Sequence, residues 1–468
     1  MAVNLKRDAV NVDIDADDYQ PLLKNLQANI LRPHGRNNVR HVFIAFTGAA
    51  SAIRNWLHDS AAKITTAREQ YDQITARAAN SGFDGGTVFN LYLSAAGYRA
   101  LGLDPDELGD TFEHGMKNRG KDPAPSTWEA PFQGEIHAMV AVADDSFTTA
   151  NAQAQAVATS LAGIGDVLAI QQGTTLRRPT TAGKTEPVEH FGYFDGISNP
   201  IFTKRDLDAE KTTMKIGDEW DPTAKMVRVL RDDPFTNVED AFGSFLVYRK
   251  LHQDVGLFEQ RVTQLAAQIP QSEELAGAML VGRFRDGTPV VSRETPLGDF
   301  SVTNDFNYFV DNANFKCPAH AHIRKVNPRE RVPLADLFGE GRKRRITRRG
   351  IPYGKPVPGL VDANVPSDAN RSADRGLLFL CFQANIKTQF EFIQRDWVDE
   401  PNFPNVVGSS TGYDPLIGQD TDEGQRWPRK WGDKDAGRKR ISFESAVTLK
   451  GGEYFFAPSI AFLEAFGA

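Results

Sequence analysis

The chain has 468 residues, 40% of them hydrophobic and 25% charged, so it can bury a large core and is too long for a single compact domain. A formal net charge of −7 gives no indication of a nucleic-acid partner. Only Cys317 and Cys381 are present, which excludes a disulfide framework and fits a reducing compartment. Because the N-terminus lacks the apolar stretch of a signal peptide and no apolar run reaches the length of a membrane helix, we expect a cytoplasmic protein with no membrane partner.

The first half of the chain alternates strand-like and helix-like segments without a regular βα repeat. A polar arm over residues 1–20 comes first. β-Branched and aromatic runs then predict strands over residues 39–46, 87–93, 135–143 and 167–173. Apolar residues at helical spacing predict helices in PLLKNLQANIL, AAGYRAL and NAQAQAVATSLAGIG. These elements indicate an α+β domain over residues 21–215.

A polar segment over residues 203–240 links this half to a second half of similar element order. Strands are predicted over residues 243–251, 278–284, 376–383 and 452–459. Asp254 can cap a helix that carries Phe258, Val262 and Leu265 on one face. Residues 400–435, rich in Asp, Gly, Pro and Trp, predict a long surface excursion. The two halves together predict a pseudo-duplicated architecture, with the second domain over residues 240–468.

The stretch Gly192-Tyr193-Phe194-Asp195-Gly196 places one acid between two glycines. An isolated Asp-Gly step is most often a tight turn with positive φ. Here aromatic and aliphatic residues surround the step, whereas an exposed turn is usually polar. On these residues alone, a plain turn and a functional carboxylate both stay open.

Two further stretches carry candidate functional groups. The first holds Cys317, His320 and His322, whose spacing is poor for zinc, whereas one histidine is enough to bind haem iron. A loop with two surface histidines is the alternative. The second stretch, residues 339–354, is a basic run leading into the apolar turn GIPYG. It fits a solvated loop, a polyanion patch, or an arginine that points inward to an anionic partner.

Jointly these stretches resemble the dye-decolorizing peroxidases, the DyP family of haem peroxidases, in its long bacterial and fungal-like branch. The family motif G-x-x-D-G matches Gly192–Gly196. Its proximal stretch A-H-I-R-K-x-N-P-R matches Ala321–Arg329, and its distal stretch R-x-G-I-P-Y-G matches Arg348–Gly354. The similarity runs from about residue 20 to the C-terminus.

The resemblance implies an α+β fold of two ferredoxin-like units with packed antiparallel sheets, a dimeric α+β barrel-like arrangement. The G-x-x-D-G motif would belong to the N-terminal unit, and haem b would lie in the C-terminal half. The implied activity is that of a peroxidase of the EC 1.11.1 class. It would reduce hydrogen peroxide and oxidise dyes, phenolics or other aromatic one-electron donors through compound I. The oligomeric state is left open.

The resemblance also implies roles for single residues. His322 would be the proximal ligand of the haem iron, Asp195 the distal acid and base, and Arg348 the cation that stabilises developing charge. Arg324 would meet a haem carboxylate, since a guanidinium matches a carboxylate well. The other implied haem contacts are Gly196, Ile197, Leu377 and Phe379.

The family's proximal histidine has an acidic partner, for which Asn385 and Glu391 are both candidates here. With Asn385 in that place the imidazole would lose its anionic partner, and the iron potential should rise. Three alternative functions are kept: a haem carrier or iron-releasing haem protein, a zinc enzyme using Cys317, His320 and His322, and a polyanion-binding protein using loop 342–349.

Overall fold

The computed structural model describes residues 3–80, 82–118, 121–180, 183–213, 217, 219–298, 304–329, 340–404, 411–419 and 424–467. Its main sheet has ten strands, and two small two-stranded sheets flank it. The strands are β1 (Asn38–Phe46), β2 (Val88–Leu93), β3 (Ala138–Asp144), β4 (Gly165–Thr174), β5 (Leu176–Pro179), β6 (Thr185–Val188), β7 (Arg231–Asp232), β8 (Phe242–Gln253), β9 (Thr347–Arg348), β10 (Ile351–Tyr353), β11 (Gly376–Gln383), β12 (Gln425–Pro428), β13 (Arg438–Ile441) and β14 (Val447–Ala457).

Helices connect and cover these strands, with α7 packed on β1 and β3, and α9 packed on α10. The helices are α1 (Gln20–Asn25), α2 (Ala50–Ala61), α3 (Ala67–Ala79), α4 (Ala95–Ala100), α5 (Asp110–His114), α6 (Ala130–Gln133), α7 (Phe147–Ser160), α8 (Lys204–Thr213), α9 (Val255–Gln268), α10 (Glu273–Val281) and α11 (His322–Val326). Shorter helical segments lie at Glu340–Lys343, Phe390–Phe392 and Ile460–Glu464, and a π-helical turn spans Ile393–Val398. Among the described helices, none is long and apolar enough to cross a membrane.

The two halves of the chain build sheets of the same strand order. In the first half the order is β4-β1-β3-β2, and in the second half it is β14-β8-β11-β10, with every pairing antiparallel. Numbered within each half, both sheets read fourth, first, third, second strand, with helices between the first and second strands, which is the ferredoxin-like βαββαβ pattern. The predicted fold of two ferredoxin-like units is therefore confirmed.

The two sheets close into one barrel at their edges. β4 meets β10 at the pair Gly173–Tyr353, and β14 meets β2 at the pair Leu93–Phe456. Side chains from both halves fill the space between the sheets, where the rings of Phe43 and Tyr248 lie 4.9 Å apart. A single hydrophobic core therefore joins the halves, and the division of the chain into domains over 21–215 and 240–468 stays a prediction.

The predicted strand over residues 278–284 is wrong, since most of it belongs to helix α10. Ser272 caps this helix by accepting a hydrogen bond from the Leu275 amide at 3.2 Å, and Gly282, at φ +102°, ends it. Every residue from 275 to 281 is buried. An apolar run buried on all sides has no periodicity that separates strand from helix. The polar link predicted over residues 203–240 also contains a helix, α8.

His41 lies inside the barrel, 2% exposed, with its ring edge-on to Tyr248. Burial, together with the nearby His34 and Arg40, lowers the pKa of His41 to about 3. An unfolded histidine titrates near ~6.5, so below that pH the unfolded chain binds a proton that the folded chain does not. The lowered pKa therefore contributes stability that is present above pH ~6.5 and is lost as the pH falls towards the folded pKa.

As the pH falls from about 6.5 to about 4.5, we expect the free energy of unfolding to decrease more steeply in wild type than in His41→Leu. The difference between the two slopes should be about 1.4 kcal/mol per pH unit. Urea unfolding of wild type and variant across that range measures the two slopes. Identical slopes would mean that His41 is already protonated in the folded protein.

Candidate active site

His322 is the first residue of α11 and hydrogen bonds to an acid far away in the sequence. Its Nδ1 lies 2.8 Å from Oδ2 of Asp414, whose side chain is fully buried, whereas the His322 side chain is 25% exposed. Because Nδ1 is engaged, Nε2 is the ring nitrogen left to bind a metal, and no described residue hydrogen bonds to it. This is the arrangement of a metal-binding histidine held by a carboxylate.

Asp414 is kept anionic by its surroundings. Burial alone would raise the pKa of Asp414. The interaction with His322 and the amides of Leu416 and Ile417 outweigh burial and hold the pKa below its usual value. Those amides donate to Oδ1 at 2.8 and 3.1 Å, while His322 uses Oδ2. Both carboxylate oxygens are therefore satisfied, and the carboxylate cannot turn away from the imidazole without losing these bonds.

Both predicted partners of His322 are wrong. The side-chain oxygen of Asn385 accepts from the amide and hydroxyl of Thr388, and Glu391 accepts from the Tyr454 hydroxyl at 3.2 Å. The acid that does contact His322 lies 92 residues along the chain, within the stretch predicted to be a surface excursion. The partner is thus a carboxylate, and the rise in potential expected for an asparagine does not apply.

Asp195 and Arg348, which are 153 residues apart in the sequence, meet at a second point of the site. Arg348 Nη1 lies 3.8 Å from Asp195 Oδ1, and Nη2 donates to the carbonyl of Ile197. The Arg348 amide donates to the side chain of Asn199 at 2.9 Å, which fixes the end of β9 against the turn. The two side chains are 31% and 38% exposed, so an acid and a cation lie side by side and remain open to a small molecule.

Strand β11 presents an apolar surface beside this pair. Leu377 and Phe379 are partly exposed, whereas Leu378 and Leu380, on the opposite face, are 0% and 2% exposed. β11 is paired along both edges, with β8 on one side and with β9 and β10 on the other. Leu377 and Phe379 therefore lie on a face of β11 that the described residues cover only in part. Cys381, on the same strand face, pairs in register with Arg348 and so places that arginine beside this apolar face.

The turn that carries Asp195 continues with two of the predicted contacts. Gly196 has φ +84° and is exposed, with open space where a Cβ would lie. Ile197 is 5% exposed, and its carbonyl accepts from Arg348. The backbone of the turn therefore lies against Arg348.

The position of Arg324 corrects its predicted role. Its Nη1 pairs with Asp311 at 3.0 Å and donates to the Cys317 carbonyl, Nη2 donates to the Asp311 carbonyl, and the guanidinium lies 4.5 Å from the Tyr308 ring centroid. The side chain is 6% exposed. Its positive charge is already paired inside the protein, so it has a structural partner in place of a cofactor carboxylate.

Arg329, the last residue of the same stretch, is the functional candidate that sequence reasoning missed. It is 2% exposed, donates to Asn304, Phe306 and the Ser198 hydroxyl, and its Nε has no partner among the described residues. Burial, together with Arg283, lowers the pKa of Arg329 well below its usual value. In the described chain none of the hydrogen bonds of Arg329 goes to a carboxylate, and the nearby negative charge of Asp305 does not offset the lowering of its pKa by burial.

The zinc hypothesis finds no support in the contacts of its residues. Burial raises the pKa of Cys317 to about 12, and that residue is 0% exposed. His320 is 1% exposed and directs Nδ1 to the carbonyl of Thr411, and burial lowers its pKa to about 3. Across the described ranges, no three His, Cys, Asp or Glu side chains gather to hold a metal ion.

The basic run after residue 340 is engaged in internal contacts. Arg344 and Arg345 donate to backbone carbonyls at 2.7 and 2.9 Å. Arg349 donates to the carbonyls of Asn29 and Ile30 at 2.6 and 2.9 Å and is 8% exposed. Arg349 therefore points inward, and its partners are backbone carbonyls in place of the predicted anionic group. The polyanion hypothesis stays a prediction.

Taken together, the residues fit a haem group. One imidazole nitrogen makes no hydrogen bond to a described residue while the other is held by a carboxylate, and the partly exposed apolar face of β11 lies beside an acid–arginine pair. A buried arginine with an unsatisfied N–H suits a carboxylate of the macrocycle. A single histidine ligand is typical of haem iron and is too few for a structural zinc site.

Comparisons with known proteins agree with this fit. The family described as DyP dimeric alpha+beta barrel domain matches residues 25–177, and the family described as Dyp-type peroxidase, C-terminal, matches residues 186–403. The multifunctional dye peroxidase DyP2 of Amycolatopsis sp. is 36% identical over 450 residues, covering 94% of this chain and 95% of that protein. The dye-decolorizing peroxidase msp1 of Mycetinis scorodonius is 30% identical over 466 residues, covering 94% of this chain and 86% of that protein.

Solved structures show the same relationship. The crystal structure of a DyP-type peroxidase of Anabaena sp. superposes with a TM-score of 0.89 at 39% identity, covering 99% of this chain and 100% of that chain. The structure of DyP2 from Amycolatopsis sp. gives a TM-score of 0.90 at 34% identity with the same coverage. This chain therefore belongs to the DyP-type peroxidases, a family of haem oxidoreductases that act on peroxide and on dyes.

Proposed function

We propose that this protein is a haem b peroxidase in which His322 binds the iron, while Asp195 and Arg348 act on hydrogen peroxide at the opposite face of the haem. The observation that carries the proposal is the 2.8 Å hydrogen bond between His322 Nδ1 and the buried Asp414, because it reserves Nε2 for a metal. When bound, the haem supplies the iron centre that exchanges electrons with peroxide and with an aromatic or dye reductant.

Asp195 is the group that moves the proton. Its carboxylate accepts the proton from one oxygen of hydrogen peroxide and returns it to the other, so that the leaving oxygen departs as water. Its 31% exposure leaves the carboxylate accessible to a molecule as small as peroxide. Arg348, 3.8 Å away, offers a fixed positive charge where negative charge develops during O–O cleavage.

Asp414 holds the iron ligand. Its carboxylate accepts the Nδ1 proton of His322, which fixes the tautomer and the ring orientation and increases the basicity of Nε2. The two acids of the site therefore have different tasks. Asp195 is partly exposed and exchanges protons, while Asp414 is fully buried and keeps its charge.

In this proposal the macrocycle would lie between these groups, against the apolar face of β11. Leu377 and Phe379 contribute the apolar surface against which a flat ring can pack, and Gly196 and Ile197 bring the backbone of the turn close to it. Arg329, buried without a carboxylate partner in the described chain, supplies the charge for one haem carboxylate.

Asp195→Asn tests the acid–base role, because the amide keeps the shape of the side chain but cannot accept the proton. We expect kcat/KM for hydrogen peroxide to fall about 10²- to 10⁴-fold, with haem content unchanged. Asp208→Asn, at an exposed acid on α8, is the control and should keep wild-type kinetics. Turnover of peroxide at the wild-type rate by Asp195→Asn would remove Asp195 from the mechanism.

Asp414→Asn tests the proximal pair. Loss of the anionic partner should raise the iron(III)/iron(II) potential, measured by spectroelectrochemical titration, and lower peroxide turnover about 10- to 100-fold. Asp399→Asn is the matched control, because Asp399 is also buried but accepts from Gln394 and from the Gln419 amide. Equal potentials in wild type and Asp414→Asn would show that Asp414 does not influence the iron.

Arg329→Gln tests the haem-carboxylate contact. We expect transfer of haem to excess apomyoglobin to accelerate about tenfold or more, the effect of losing one charge-assisted hydrogen bond. Arg324→Gln is the comparison, since its partner Asp311 is part of the protein. That variant should lower the melting temperature and leave haem transfer near the wild-type rate. Faster haem transfer in Arg324→Gln, with a wild-type rate in Arg329→Gln, would assign the haem-carboxylate contact to Arg324.

A further inference from the structure

We propose that Glu189 is a positioning residue for Asp195, an inference that rests on the proposed role of Asp195. Glu189 lies just ahead of the Gly192–Gly196 turn and folds its carboxylate back over it. Oε2 accepts from the amide of Phe191 and Oε1 from the amide of Tyr193, both at 2.9 Å. One side chain therefore binds two alternate amides of the turn that carries the distal acid.

Backbone hydrogen bonds close the same turn that the Glu189 side chain binds. The Glu189 amide donates to the Tyr193 carbonyl at 3.1 Å, and the Gly192 amide donates to the Glu189 carbonyl at 2.8 Å. Gly192 adopts φ +84°, a backbone conformation that favours glycine where the chain reverses. Stacking of Phe191 on the Phe258 ring, with centroids 4.0 Å apart, anchors the turn on the core.

Glu189 also ties the turn to the barrel. Nε2 of Gln253, the last residue of β8, donates to Glu189 Oε2 at 2.5 Å. β8 pairs along its length with β11, the strand that carries Leu377 and Phe379. The carboxylate therefore links the turn to the sheet that carries the apolar face of β11.

The Asp195 carboxylate makes one close hydrogen bond, in which Oδ1 accepts from the Gly196 amide at 2.6 Å. The Asp195 amide donates to the Pro187 carbonyl at 3.4 Å, and the preceding Phe194 amide donates to the Arg285 carbonyl at 3.2 Å. The Asp195 side chain is 31% exposed, and Arg348 is 3.8 Å away. The position of the distal carboxylate therefore depends on the backbone on both sides of it, namely the closed turn that precedes it and the Gly196 amide that follows it.

A carboxylate is required because three N–H groups converge on two oxygens. An amide at this position has one acceptor oxygen and one NH₂ donor. In Glu189→Gln the NH₂ group must face either the Tyr193 amide or the pair formed by the Phe191 amide and Gln253. A donor against a donor opens the turn, and a displacement of about 1 Å can cost about 100-fold in rate.

A double-mutant cycle with Asp195→Asn tests this inference in the haem-loaded enzyme. We expect Glu189→Gln to lower kcat/KM for hydrogen peroxide about 10- to 100-fold and to leave kcat/KM for the reducing dye unchanged. In the Asp195→Asn background, Glu189→Gln should add no more than about a twofold effect, because it acts through the residue already removed. The inference would be overturned if Glu189→Gln lowered kcat/KM for hydrogen peroxide by the same factor in the wild-type and Asp195→Asn backgrounds. It would also be overturned if kcat/KM for the dye fell by the same factor as that for peroxide.

Hydrogen exchange provides a readout that does not depend on activity. We expect the amides of Phe191 and Tyr193 to exchange faster in Glu189→Gln than in wild type, and equal exchange would overturn the inference. If Glu189→Gln does not fold, Gln253→Met tests the inference instead. This variant removes one donor to Glu189 and keeps the carboxylate. We expect it to lower kcat/KM for hydrogen peroxide only when Asp195 is present, and to leave kcat/KM for the dye unchanged.

The outcomes separate the inference from the proposed function on which it rests. If Asp195→Asn itself turns over peroxide normally, the proposed acid–base role fails. If Asp195→Asn is slow while neither Glu189→Gln nor Gln253→Met is, the acid–base role stands and the positioning role of Glu189 fails.

Discussion

The pairing of β11 with three other strands is the constraint on which the site depends. β11 pairs along its whole length with β8, and its other edge holds β10 and β9 in turn. This pairing brings Arg348 beside Cys381 and places both next to the partly exposed Leu377 and Phe379. A central strand with one face buried has little freedom to slip, because a shift of one residue would expose Leu378 and Leu380. This fixed register sets the positions of Arg348, Leu377 and Phe379 relative to one another.

The chemistry of the site follows from two carboxylates in different environments. Asp414 is fully buried, satisfied on both oxygens and aimed at His322, which suits a permanent charge that orients a metal ligand. Asp195 is partly exposed beside a guanidinium, which suits the exchange of protons with a small substrate. In the proposed function the same functional group therefore has two tasks, and burial and hydrogen bonding set the task of each.

Much of the fold could be predicted from local sequence. The β11 range is the one that its aromatic and apolar residues predict, and Asp254 caps α9 as expected, accepting from the Leu257 amide at 2.9 Å. Both features depend on residues adjacent in the chain. α10 could not be predicted in this way, because a fully buried apolar run carries the same pattern in a helix and in a strand.

The partners of the site residues were harder to predict than its motifs. Asp414 lies 92 residues from His322, in a segment whose composition indicates only a loop, so nothing local relates the two. Arg324 and Arg329 share one stretch and one chemistry, and only their neighbours distinguish them. Asp311 neutralises Arg324, while no described carboxylate hydrogen bonds to Arg329. A sequence alone does not show which acid the fold places beside each arginine.

The absorption spectrum of the haem-reconstituted protein, before and after one equivalent of hydrogen peroxide, tests the central claim most directly. The account predicts a Soret band that changes within the mixing time in wild type. In His322→Ala it predicts a Soret band altered from the start, with no such fast reaction. Haem that ignores peroxide in wild type, or a His322→Ala variant that reacts like wild type, would contradict the account.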